Sequence, residues 1–217
     1  MKKITIAILM LLGTYSNASA ELGMNVGVSG QMGVFTGQGH ETMGTVDKKG
    51  AETAMAVFGY ASIFVEKDLG QYLTLGIDFV PDSMSSETEE RIRDTKFGDA
   101  TSVTTNNVKV DFEDMITAYA AVNVTENFYV KAGLVEVDVI TKESLGTGGA
   151  YPNTSMDGTM LGMGYNKDLT NGMFVRAEGT YMDFDNIKLS SNAGETKFIT
   201  VSSLAGLSGK ISVGKSF

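Results

Sequence analysis

Apolar and polar residues alternate from position 22 to 34, and no other feature limits the fold as much. Leu22, Met24, Val26, Val28, Met32 and Val34 share one parity, and Gly23, Asn25, Gly27, Ser29, Gln31 and Gly33 share the other. A period of two puts each set on one face of a β-strand. The pattern recurs along the chain. Leu73, Leu75, Ile77 and Phe79 oppose Thr74, Gly76 and Asp78. Ile116, Ala118, Ala120, Val122 and Val124 oppose Thr117, Tyr119, Ala121 and Asn123. Leu207, Ile211, Val213 and Phe217 oppose Ser208, Lys210, Ser212, Gly214 and Ser216. We predict eight strands over 22–35, 54–66, 72–80, 111–124, 128–140, 158–167, 173–190 and 197–217. In the second, Phe58, Tyr60 and Phe64 share a face with Ser62 and Glu66. In the fifth, polar positions change parity between Lys131 and Glu136, which predicts a bulge near Leu134.

The connections alternate in length. Short ones fall at 67–71, 125–127 and 168–172; long ones fall at 36–53, 81–110 and 141–157. A compact tip surrounds Asn192-Ala193-Gly194. Tight turns on one side and long loops on the other are the pattern of a transmembrane barrel. An even strand number leaves both termini on the short-turn, periplasmic side. A soluble sandwich or lipocalin-like barrel also alternates, with its apolar face inward. Here one face is smoothly aliphatic, and the other carries Gly, Ser, Thr, Asn and a few charges. Aromatic residues flank the short turns: Phe64 and Tyr72, Phe128 and Tyr129, Tyr165 and Phe174, with Phe217 at the chain end. A membrane interface selects such residues. The fold class expected is therefore all-β, an eight-stranded antiparallel up-and-down transmembrane β-barrel. Ambiguous patterning in 81–110 leaves ten strands open.

The first residues set the compartment. Lys2 and Lys3 precede an apolar run from Ile4 to Leu12, and Ala18-Ser19-Ala20 is a small-residue cleavage site. Residues 1–20 are expected to be a secretory signal peptide and 21–217 the barrel domain. The 217-residue chain has a net charge of −9, which becomes −11 once Lys2 and Lys3 are removed. That balance argues against nucleic acid, which requires a basic footprint. With no Cys, disulfides, iron–sulfur clusters and thiolate zinc sites are excluded.

The last strand ends Ile211-Ser212-Val213-Gly214-Lys215-Ser216-Phe217, which resembles the terminal signal of bacterial outer-membrane barrels. In that family the final aromatic is presented to the barrel-assembly machinery, so the resemblance assigns that role to Phe217. Lys215 departs from the pattern, since its place is often aromatic or apolar; its ammonium is expected to snorkel to headgroups. Tyr129-Val130-Lys131-Ala132-Gly133, and the run from Phe174 through Arg176 and Glu178 to Tyr181, resemble strands of OmpA-type eight-stranded barrels. In those proteins such charges pair inside the barrel. The size is nearer the OmpX, Ail and opacity-protein kind. The resemblance implies an interior cluster centred on Arg176 and Glu178. Asp78, Lys131 and Lys210 join it from polar positions on other strands.

Catalytic and ligand-binding signals are thin. His40 is the single histidine; it stands beside Glu41 in the first long connection, without a recognisable motif. Asp183, Asp185, Glu136 and Asp138 fall short of the six or so oxygen ligands calcium takes. Glu89 and Arg93 are spaced for a short helix in an outer loop. Gly146 to Gly149 lacks the tail of a phosphate-binding loop. No cofactor, metal site or catalytic residue is expected. The expected partners are outer-membrane lipids, lipopolysaccharide and the assembly machinery, and the expected state is a monomer. The first function class is a structural or surface-interaction barrel. A small porin is the alternative, although eight strands leave an interior only wide enough for side chains. A lipid A-modifying enzyme is a distant third.

Overall fold

The computed structural model describes residues 23–43, 46–47, 52–86, 89–97, 100–145, 150–192 and 197–217. Eight strands form the wall: β1 (Met24–Met43), β2 (Glu52–Leu69), β3 (Leu73–Val80), β4 (Ala100–Asn123), β5 (Phe128–Leu145), β6 (Thr154–Asp168), β7 (Met173–Phe184) and β8 (Lys197–Ser216). Each pairs antiparallel with its neighbour in chain order, and β8 closes onto β1 from Asn25↔Ser216 upward. Four shorter strands decorate the long-connection end. Val46–Asp47 folds back on β1, Met84–Ser85 and Glu89–Phe97 pair with β4, and Ile187–Ser190 pairs with β8. The turn between β6 and β7 needs left-handed backbone at Asn171 (φ 62°) and Gly172 (φ 72°).

The strands run well past the lengths expected from the sequence. β1 has 20 residues and β4 has 24, whereas a tilted strand crosses the hydrocarbon with 9–11. Much of 36–53, 81–110 and 141–157 is therefore strand rather than loop. The backbone of His40 lies in β1 opposite Thr200. Glu89 to Arg93 is strand, hydrogen-bonded to 104–108, not helix. The predicted strand 173–190 breaks at Asp185 and Asn186, and Ile187–Ser190 follows as a separate piece. The side chains of His40, Arg91 and Arg93, like residues 1–22 and Gly146 to Gly149, lie outside what is described.

The outer surface changes character with height, and so does the lumen, in the opposite sense. Near the short turns the wall is aliphatic outside: Val28, Met32, Ile63, Leu161, Met163, Leu207, Ile211 and Val213 are all exposed. From Val26 to Val34 this face spans roughly 20 Å at the usual tilt, close to the apolar band of such barrels. Farther up, the outward positions become Thr159, Asp157 and Ser155 on β6, Asp183 on β7 and Asp138 on β5. At that height the lumen fills with Phe35, Val80, Met84, Met115, Val135, Val137, Val139, Met156, Met160, Met182 and Phe184. Below, in the aliphatic-walled zone, the lumen is polar and charged.

This inversion accounts for the parity change on β5. Lys131, Val135, Val137 and Val139 all share the inward parity; Asp138 has the outward one and is exposed, whereas Glu136, on the same parity, is buried opposite Ile116 beside the irregularity on β4. No bulge lies at Leu134. The polar residues switch sides because the surroundings of the wall switch from lipid to water. The irregularity sits on the neighbour instead: β4 carries an extra residue between Glu113 and Ile116, and Asp114 has φ 50°. A second lies where Thr36 and Gln38 face 202–205, with Ser203 at φ 54°.

Above the lipid zone, the Asp111 carboxylate is bonded by the Lys142 ammonium and lies 3.5 Å from Lys109. Burial pushes that carboxyl up. Lys142, the Ser85 hydroxyl and Lys109 outweigh the burial and hold it below the usual carboxylate range.

Candidate functional site

The lower lumen concentrates the chemistry. At the short-turn end it opens as a vestibule of about 270 Å³, lined among others by Asn25, Asp68, Asn127, Asn166 and Asp168, with Arg176 in its wall. Arg176 Nη1 lies 2.5 Å from Glu66 Oε1, and its Nε donates to Asn166 Oδ1 at 3.0 Å. Its guanidinium lies 4.4 Å from the Phe174 ring centroid and 5.5 Å from that of Phe64. Aromatic faces attract a cation in this way. Glu66 Oε1 also accepts the Tyr119 hydroxyl at 2.7 Å.

A second group lies deeper. Lys131 Nζ is 2.5 Å from Glu178 Oε1, which also accepts the Tyr129 hydroxyl at 2.6 Å. Lys210 bonds directly to Asp78 and lies 3.8 Å from Glu178 Oε2. Three carboxylates (Glu66, Asp78, Glu178) meet three cations (Lys131, Arg176, Lys210), so the cluster is neutral. Hydroxyl and amide pairs brace the wall around it: Gln31 donates to Ser62 at 3.2 Å, Thr180 meets Ser208 at 2.6 Å, and Ser212 meets Ser29 at 3.1 Å. The apolar tier begins above. Between the tiers lies a void of about 20 Å³, room for one water, touched by Asp78, Lys131, Lys210, Met160 and Met182.

The five interior residues expected from the sequence, Asp78, Lys131, Arg176, Glu178 and Lys210, stand in this one network. Arg176 pairs across the barrel with Glu66 rather than with Glu178 two residues along its own strand, and Glu178 takes the two lysines. Glu66, Tyr119 and Tyr129 join the network without being singled out by the sequence. Glu66 had a readable signal, since it shares its face with Ser62 and Phe64, both inward.

The aromatic residues beside the short turns divide between the two faces. Tyr72, Tyr165 and Phe217 are exposed on the wall, whereas Phe64, Tyr129 and Phe174 turn into the lumen. Each inward ring lies over a glycine directly opposite on the next strand. The pairs are Phe64 with Gly27, Tyr129 with Gly164 and Phe174 with Gly214. Higher up, Tyr119 covers Gly76 and Phe35 covers Gly206. A Cβ at any of these glycines would come within 2.2–2.5 Å of the ring. The glycines make room for the rings, and the rings cover backbone left bare. Phe217 is held by its backbone, its N–H donating to Met24 O at 2.8 Å, with its ring half exposed. Among the described residues, no three His, Cys, Asp or Glu side chains are grouped to hold a metal ion.

A closed antiparallel ring with a lipid-compatible belt and a filled lumen is the small outer-membrane β-barrel fold. Solved structures that share it include the following two. The outer-membrane protein OprG from Pseudomonas aeruginosa is 13% identical, with a TM-score of 0.51 over 91% of this chain and 97% of that one. The outer-membrane protein AlkL, determined in DMPC lipid bilayers, is 11% identical, with a TM-score of 0.51 over 94% of each chain. No protein-family profile and no curated sequence matches the chain. The likeness at these identities is one of fold: an eight-stranded antiparallel transmembrane β-barrel.

Proposed function

We propose that the protein is an integral barrel of the bacterial outer membrane with a structural or surface-presenting role, no enzymatic activity and no open pore. Residues 1–20 direct its export and are removed. The long-strand end faces outward among lipopolysaccharide, and the chain works as a monomer. The observation that carries this reading is the lumen, blocked twice: by a neutral charge cluster at the height of the lipid belt and by an apolar core above it. Planar-bilayer recording of the refolded protein tests it. Insertion without discrete conductance steps is the expected result. Stable open-channel steps in the unaltered protein would overturn the closed reading in favour of a small solute channel.

The assembly role of Phe217 is part of the same proposal. Phe217 is 53% exposed on the wall, so truncation removes little packing. Phe217→Ala is expected to lower outer-membrane yield in cells and to leave the in vitro unfolding midpoint nearly unchanged. Normal yield in cells would defeat the assignment.

A further inference from the structure

One tripeptide closes two strands that run toward the short turns: Lys67-Asp68-Leu69 ends β2, and Lys167-Asp168-Leu169 ends and follows β6. Strand alternation sorts its members. Asp68 and Asp168 line the vestibule, where Asp68 accepts from Asn25 and Thr74, and Asp168 accepts from Asn166. Leu69 and Leu169 are exposed. Lys67 and Lys167 share the parity of the lipid-facing Ile63 and Met163. β8 adds Lys215 on the parity of Ile211 and Val213, its Nζ 5.2 Å from the Phe217 ring centroid.

The three lysines lie on one arc of the rim, within two residues of the end of their strands. Lys167 pairs with Val175, Lys215 with both Met173 and Val26, and Lys67 with Met24. Their rows step by two residues from one lysine to the next, the stagger that tilted strands produce. The arc crosses β6, β7, β8, β1 and β2, a width of about 19 Å at ordinary strand spacing. Across β3, β4 and β5 the same edge carries Tyr72, Leu73, Val122, Val124, Phe128 and Val130, with no cation. In a chain of 17 cations against 26 carboxylates, the rim charges are thus separated by sign. Lysines face the foot of the aliphatic belt, and aspartates face the lumen.

At that height a wall lysine meets headgroups, its stem on apolar surface and its ammonium at phosphate level. We propose that Lys67, Lys167 and Lys215 form a docking arc for anionic phospholipid headgroups, phosphate diesters without a compensating ammonium, in the leaflet at the short-turn rim. The inference rests on the transmembrane reading above. It adds a lipid class and a side of the barrel. Each lysine near an anionic surface strengthens association about fivefold, about 1 kcal/mol.

The test is electron spin resonance of the reconstituted barrel with spin-labelled phosphatidylglycerol and, separately, spin-labelled phosphatidylcholine. The expected result is that motionally restricted phosphatidylglycerol exceeds phosphatidylcholine at low salt. The preference should shrink in high salt and vanish in the Lys67→Gln/Lys167→Gln/Lys215→Gln variant, whose heat-dependent gel shift is retained. Equal association of the two labels with the folded, inserted wild-type barrel overturns the inference and leaves the proposed function standing, as does a triple variant that keeps the preference. Erasure of the preference by inorganic phosphate at matched ionic strength would mark a free-anion site instead and also overturns it. Failure of the unaltered protein to insert in vesicles sinks both readings.

Discussion

Glu178→Gln is expected to destabilise the barrel by about 3–5 kcal/mol, the usual cost of removing one partner from a buried charge cluster. Glutamine keeps the volume and one acceptor, so packing changes little and the loss is electrostatic. Glu178 is the shared anion of two lysines, and its side chain is 4% exposed. Without it Lys131, with a side chain 3% exposed, loses the carboxylate at 2.5 Å, and Asp78 alone remains to balance both lysines. Neither ammonium can reach bulk water, because the apolar tier stands above and the Arg176–Glu66 pair below. The matching double variant Glu178→Gln/Lys131→Met is expected to recover most of the loss, since deleting both charges removes the desolvation cost with the attraction. The chain has no Trp, so the unfolding midpoint is best followed by sheet circular dichroism or by the heat-dependent gel shift. A loss below about 1 kcal/mol in the single variant, or none recovered in the double, would show that the cluster does not act as a unit.

Lipid made the lower barrel readable from sequence. It demands an aliphatic outer face, and that demand writes an alternation such as Val26, Val28, Met32, Val34 into the chain. Lys131, Arg176 and Glu178 could then be assigned to the lumen, because their strand neighbours had claimed the wall. The upper barrel obeys the same alternation with its solvents exchanged, so a search for lipid-facing strands stops where the membrane stops. Val135, Val137 and Val139 look like a lipid face displaced by one residue, which is why the sequence suggested a bulge that the structure places on β4. Pairing across the barrel was beyond reach for another reason. Arg176 meets Glu66 from 110 residues away, and Phe174 covers Gly214 because β7 and β8 share one particular register. Alternation fixes the face a residue occupies but says nothing of which residue stands opposite.

Two methionines on β6 isolate that exchange of solvents. Met156 and Met163 lie seven residues apart, on opposite parities and on opposite sides of the boundary. Met156 is 1% exposed in the upper lumen among Val137 and its neighbours; Met163 is 57% exposed on the wall, level with Val130 and Gly179. Met156→Ala is expected to cost about 2–5 kcal/mol, the lost transfer energy plus the cavity left in a packed core. Ser155→Ala, one residue before it and facing outward, is expected to stay within about 0.5 kcal/mol, as for a surface change in water. Met163→Arg is expected to cost about 2–4 kcal/mol in a bilayer, where a cation on the wall meets hydrocarbon. Thr159→Arg, at the upper edge of the belt, should cost about 0–1 kcal/mol. Unfolding midpoints in vesicles of fixed thickness measure all four. If Met156→Ala were neutral, the upper lumen would not be a packed core, and the barrel would lose its second barrier. If Thr159→Arg cost as much as Met163→Arg, the hydrocarbon would extend higher than Leu161, and the polar face from Thr159 to Ser155 would need an explanation other than water.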